Sequence, residues 1–201
     1  MLKVGLTGGL ATGKSFVAGE LAKLGCHVVQ ADQLGHQVLE PGGEAYAEVV
    51  KAFGTGILHA DGTIDRRRLA SEVFGDQERL ALLSSIVHPP VLRMESEIIA
   101  EAERADPHGI AVVEAAILIE TGSYKRFARL ILAVCSVEEQ IRRSIKRDGV
   151  TREEVEARLR NQMSLEEKRK FADYVIDTSY TKEETVRRVR EVYDSLRSLN
   201  L

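Results

Sequence analysis

Residues 5–15 read GLTGGLATGKS, and Gly8-x4-Gly13-Lys14-Ser15 within them is the spacing of a phosphate-binding loop, the P-loop. Its glycines allow positive φ, so backbone N–H groups along Gly8, Gly9, Leu10, Ala11, Thr12 and Gly13 can converge on phosphate oxygens. A helix starting directly behind the loop turns its positive end toward the same anion. Lys14 is long enough to reach the β- and γ-phosphates of a nucleotide, and the Ser15 hydroxyl suits Mg2+. Asp32, closing VVQAD, is the nearest downstream carboxylate. It either orients an acceptor hydroxyl and takes its proton, or serves as a turn or capping residue. A third group is the basic run EEQIRRSIKRDG. On a helix it puts Gln140, Arg143 and Arg147 on one face, with Arg142 and Lys146 on the next. That run is either a solvated helix or a lid that brings arginines to a migrating phosphoryl group and excludes water.

Weaker candidates lie elsewhere. DRRRL at 65–69 is a helix opening that is either plain surface or a seat for an anionic substrate. His88 stands in HPP (88–90), which we expect to break a helix. Glu114 ends an apolar run and would act through metal-bound water or in a buried ion pair.

Positioning these groups requires strands that end at one edge. Short apolar runs at 2–7, 27–31, 110–115, 129–134 and 173–177 suit buried parallel strands, and Asp32 would end the second. Helical patterns separate them: Val17, Leu21 and Leu24 form a stripe closed by Gly25, and Val186, Val189, Tyr193 and Leu196 form the last one. Ser136–Glu139, Thr151–Glu154, Ser164–Glu167 and Thr181–Glu184 fit the capping-box spacing. The expectation is an α/β fold, a P-loop NTPase-type parallel β-sheet flanked by helices, with chemistry at the carboxyl ends of the strands. Two stretches interrupt the alternation. Residues 36–102 read as a helical substrate-binding insertion, and 138–170 as two charged helices forming a lid. That leaves 1–35, 103–137 and 171–201 as the nucleotide-binding core.

The whole chain narrows the classes further. At 201 residues it can bury a core without disulfide or metal staples, and its two cysteines, Cys26 and Cys135, show no ligand spacing. A net charge of −3, no Trp and 5% aromatic residues leave little for nucleic acid to bind. No signal peptide or 18-residue apolar span is visible, so a cytoplasmic protein without membrane partners is expected.

Read in order, GLTGGxxxGKS, AD, EPGG, FGxxIL, DGxIDRRxL, VF, HP, ILIE, QIRRSIKRDG, RLRNQM and ADYVID resemble the dephospho-CoA kinase family from about residue 2 to 180. DGTIDRRRLASEVF followed by HP discriminates far better than the P-loop, which many kinases share. The resemblance implies ATP-dependent phosphorylation of the ribose 3′-hydroxyl of dephospho-CoA, with Mg2+, giving CoA and ADP. It further implies Asp32 as general base, Lys14 and Ser15 on phosphate and metal, and Arg143 and Arg147 as lid arginines. Thr7 and His88 would lie on the substrate side, and Asp177 and Thr178 against adenine. ATP and dephospho-CoA would be the partners, with a monomer or weak homo-oligomer as the assembly. This sequence departs from the family's usual Asp-Ala-Asp and following Arg with Gln30-Ala31-Asp32 and His36, an imidazole that would make binding pH-sensitive near neutrality. It also has Leu10-Ala11-Thr12 in place of Ile-Gly-Ser, and Ala116 where PLLFE carries proline. A related P-loop kinase for another metabolite, or a nucleotide-binding regulator with vestigial activity, are the rival readings.

Overall fold

The computed structural model describes residues 1–199; the last two positions of the expected core segment 171–201 lie outside them. In chain order the elements begin with β1 (Leu2–Gly8), α1 (Lys14–Lys23), β2 (His27–Gln30), α2 (Ala31–Gln37), α3 (Tyr46–Phe53), α4 (Arg66–Val73) and α5 (Gln77–Ala105). There follow β3 (Ile110–Glu114), β4 (Arg129–Val134), α6 (Val137–Asp148), α7 (Arg152–Arg160), α8 (Leu165–Arg169), β5 (Tyr174–Asp177) and α9 (Lys182–Leu199). They fall into two compact units, Met1–Gln30 with Ile99–Leu201, and Ala31–Ile98.

The first unit holds one five-stranded sheet in the order β2-β3-β1-β4-β5. Every strand pair is parallel. β3 is buried throughout and β1 from Val4 onward, which is why both read as continuous apolar runs. Register sets the working edge: Gln30 pairs with Glu114, Gly8 with Ala133 and Val134 with Asp177. The carboxyl ends of all five strands therefore arrive together. The connection from β1 runs toward β2 and that from β3 toward β4, on opposite sides, the arrangement that opens a crevice at this edge. Val17, Ala18 and Leu21 of α1 and Val189, Val192 and Leu196 of α9 close the core against Val4, Leu6, Ile131 and Ile176. On α9 the buried stripe centres on Thr185, Val189, Val192 and Leu196, with Tyr193 at its margin.

The second unit has its own core: Val38, Val49, Phe53, Ile57, Leu69 and Ile86. Asp65 caps α4 by accepting from the backbone N–H groups of Arg67 and Arg68 at 3.0 and 3.2 Å. Among the described residues no helix is long and apolar enough to cross a membrane.

Three expectations change. α5 runs unbroken through Pro89 and Pro90, so HPP is not a helix break. Its Leu83, Ile86, Val87, Val91 and Met94 pack on the second core at helical spacing, and that burial outweighs the lost backbone hydrogen bonds. β2 ends at Gln30, which places Asp32 in the first turn of α2 rather than at a strand end. Residues 138–170 contain a third helix, α8, besides the two expected. The capping signals at 151, 164 and 181 form reciprocally. At Ser136 only the serine half forms, because the Glu139 carboxylate is held by Arg142 and Arg143.

Candidate active site

β1 ends at Gly8, and the chain turns through Gly9–Gly13 before α1 starts at Lys14. Gly8 has no room for a side chain: a Cβ there would stand 2.6 Å from the Ala133 carbonyl oxygen. Gly13 takes φ 82° to swing the chain into α1. Inside the loop, Lys14 Nζ and Thr12 Oγ1 both donate to the Gly9 carbonyl at 3.1 Å. Lys14 is thus folded over the loop, its ammonium lying where the negative charge of a nucleotide tail would sit.

One helical residue on, Ser15 Oγ donates to Glu114 Oε1 at 2.8 Å. Gln30 Nε2 donates to Glu114 Oε2 at 3.1 Å. β2 and β3 pair in register at these two residues, so the contact follows from the sheet. A second carboxylate at position 30 would repel Glu114, whereas the neutral amide orients it. Glu114 is thus a carboxylate that accepts from a hydroxyl and an amide at once.

From the opposite side, Arg143 on α6 donates to Thr178 Oγ1 at 2.9 Å and to the Thr178 carbonyl at 2.5 Å. Thr178 Oγ1 in turn donates to the Thr12 carbonyl at 2.8 Å. Glu139 accepts from Arg143 at 3.1 Å. Hydrogen bonding from Arg142 and the two arginine charges hold the Glu139 carboxyl below the usual range. Burial pushes the Cys135 thiol up to about 11, so it is a neutral wall, not a nucleophile. Asp177 accepts from Ser179 N–H at 2.8 Å and, with Gly9, Cys135, Gln140, Met163 and Tyr180, lines a cavity of about 610 Å³. That volume is of small-ligand size.

The structure therefore gathers Gly8–Ser15, Arg143, Asp177 and Thr178 at one edge. Thr7 lies just below, its hydroxyl donating to the Ala116 carbonyl at 3.2 Å. Arg147 instead forms a two-point pair with Asp148 at 2.7 and 2.9 Å, 60% exposed to solvent. Asp32 and His88 are exposed residues of the second unit. In that unit His36, His59, Asp65, Arg66 and Arg67 line a separate cavity of about 760 Å³.

Sequence reasoning missed several groups at this edge. Lys168, only 1% exposed, pairs with Glu120 at 2.7 Å and donates to the carbonyls of Gly8 and Ala116 at 3.3 and 3.4 Å. Gln140 donates to the Leu10 carbonyl at 2.7 Å, and Gln162 accepts from Leu10 N–H at 3.1 Å. Gln140 and Gln162 lie within QIRRSIKRDG and RLRNQM, yet nothing in those stretches points to a contact with the loop; only Gln140's place on the face of Arg143 hinted at such a role.

Comparison with known proteins is consistent along the whole length. The family model described as CoaE: Dephospho-CoA kinase matches residues 2–184. The chain is 42% identical to the dephospho-CoA kinase of Aquifex aeolicus over 196 residues, 98% of each protein. It is 41% identical to that of Leifsonia xyli subsp. xyli over 197 residues, 98% of this chain and 100% of the other. The crystal structure of TT1252 from Thermus thermophilus matches with a TM-score of 0.82 at 33% identity, covering 96% of both chains. With its anion loop, its hydroxyl–carboxylate pair and these full-length relatives, the chain belongs to the dephospho-CoA kinase family.

Proposed function

We propose that this chain transfers the terminal phosphoryl group of ATP to the ribose 3′-hydroxyl of dephospho-CoA, giving CoA and ADP. Family membership makes it a dephospho-CoA kinase, an ATP-dependent phosphotransferase; the position of attack and the residue roles are our reading. The observation that carries it is Ser15 hydrogen-bonded to Glu114 directly behind an anion loop covered by Lys14.

The loop amides and Lys14 hold the phosphate chain, and Arg143, fixed by Thr178, adds positive charge beside it. Asp32 accepts the acceptor hydroxyl's proton as the new oxygen–phosphorus bond forms. The bridging oxygen–phosphorus bond of ATP breaks, and ADP carries its electron pair away. Ser15 and Glu114 fit Mg2+: they are hard oxygen donors, few enough to leave positions for phosphate oxygens and water. An Mg2+ held there would supply neutralisation of the phosphate charge.

The test is turnover of the full chain with Mg-ATP and dephospho-CoA, AMP, shikimate or no acceptor. Product is expected only with dephospho-CoA, carrying the new phosphate at the 3′ position by NMR. Release of ADP without any acceptor would overturn the assignment. Asp32→Asn should keep ATP affinity within a few-fold and lower kcat at least ~100-fold. Turnover near that of the unaltered enzyme would remove Asp32 from the role of base.

A further inference from the structure

A peptide unit is planar and trans, so fixing a carbonyl in one direction aims the following N–H the opposite way. The outer face of the P-loop is fixed in this manner, carbonyl by carbonyl, by side chains from outside its motif. Lys168 takes the Gly8 carbonyl, Gln140 takes Leu10 and Thr178 takes Thr12, while Arg143 reaches the Ala11 carbonyl at 3.5 Å. Gln162 holds the Leu10 N–H outward, the direction that sets the Gly9 carbonyl toward Lys14 and Thr12. The consequence shows on the inner face. Among the described residues the N–H groups of Ala11, Thr12 and Gly13 donate to no protein acceptor.

Resting on the kinase reading above, we infer that Gln140, Gln162 and Lys168 are positioning residues that preorganise the phosphate cradle by holding its outward peptide groups. Gln140 is the central one. It is 2% exposed, its amide sits 2.7 Å from the Leu10 carbonyl, and that bond directs the Ala11 N–H inward. The loop is also packed against this side chain, since a Cβ on Gly9 would lie 2.9 Å from Gln140 Nε2 and 3.2 Å from Leu165 Cδ2. Lys168 anchors the entry to the loop. Its ammonium pairs with Glu120 and donates to the carbonyls of Gly8 and Ala116. Its Ala116 acceptor is also taken by Thr7, so one buried lysine ties the end of β1 to the segment following Glu114. α6, α8 and the segment between α7 and α8 thus set the shape of the anion site before any nucleotide arrives, and ordering the loop is not left to the ligand.

The signature of preorganisation is selective. Affinity for phosphate-bearing ligands should fall by a larger factor than affinity for the nucleoside. Binding of Mg-ATP, ADP and adenosine to the full chain, by calorimetry or competition, reads this directly, with steady-state kinetics alongside. Gln140→Met keeps the length and removes the donor. It should weaken ATP about tenfold, the value of one lost hydrogen bond near the upper end of the usual range. Adenosine affinity should fall by a clearly smaller factor than ATP affinity, since Gln140 also lines the cavity beside Asp177, and the KM for dephospho-CoA should stay within about twofold of the unaltered protein's, the spread set by ~0.4 kcal/mol. Gln162→Ala, at an exposed position where folding is not at risk, should shift ATP in the same direction by a smaller factor, about threefold. It decides the matter if Gln140→Met does not fold. Equal losses for ATP and adenosine, or no change with either variant, would overturn the proposal. Failure of the unaltered chain to prefer ATP over adenosine would instead defeat the kinase reading.

Discussion

Ala11 has φ 52° and is, among the described residues, the one non-glycine with positive φ. L-residues pay about 1–2 kcal/mol for that conformation, which glycine adopts freely. Glycine, however, widens the unfolded ensemble by about 0.4–1 kcal/mol. Ala11→Gly should therefore stabilise the protein by up to ~1 kcal/mol in urea denaturation, and leave ATP affinity within about twofold because the Ala11 N–H is retained. Measurable destabilisation would mean that the alanine methyl makes contacts outweighing the strain. The strain sits where the loop departs from Ile-Gly-Ser, and the sequence showed that departure without showing its backbone cost. Gly8, Lys14 and Ser15 were legible because a P-loop is local: residues within one turn make the site. Gln140, Gln162 and Lys168 were not, because their partners lie 130, 152 and 160 residues away. SLEEKR reads as an exposed, capped helix, and nothing within it says that its lysine is buried.

At the scale of elements, local signals succeeded wherever local energetics decide. The strands were recognisable from apolar runs, and the helix starts from Ser or Thr three residues before Glu, since both the burial and the caps are set within a few residues. α5 shows where that logic stops. Two adjacent prolines remove two backbone donors, and a helix interior proline costs ~3 kcal/mol or more in isolation. The helix persists because a stripe from Leu83 to Met94 is packed on the second core, a tertiary term invisible at residues 88–90. Pro89 is exposed while Pro90 is buried, so the two prolines are not equivalent. Pro89→Ala restores a donor and loses no packing, and its unfolded-state cost is only about 0.4–1 kcal/mol. An increase in stability of roughly 1–2 kcal/mol is expected from urea or thermal unfolding. A loss instead would show that proline at 89 is required, for instance by a bend that α5 must keep. The boundary at Gln30 follows the same rule: Ala31 and Asp32 look like a strand end by composition, yet helical hydrogen bonding begins there.

Across the whole molecule, the two hydrophobic cores share no residue. One is built from Val4, Leu21, Ile131, Ile176 and Leu196, the other from Val38, Val49, Phe53, Ile57 and Leu69. Each draws on a single compact unit, so the energies that hold the nucleotide edge are separable from those that hold residues 31–98. The P-loop, Glu114, Arg143 and the side chains that grip the loop all belong to the first unit, whereas Asp32 belongs to the second. Holding ATP and supplying the proposed base are then tasks of different cores. Ile57, 1% exposed in the second core, gives a way to test this. Ile57→Ala should cost that unit about 2–4 kcal/mol through lost burial and the cavity left behind. Hydrogen exchange should show protection falling within residues 31–98, with amides of the sheet little changed. ATP affinity should remain within about twofold, while dephospho-CoA turnover falls, because opening the second unit lowers the population in which Asp32 is in place. Were ATP binding to weaken in step with that turnover, or sheet amides to exchange together with those of residues 31–98, the two cores would be one cooperative system, and the separation of tasks would fail with them.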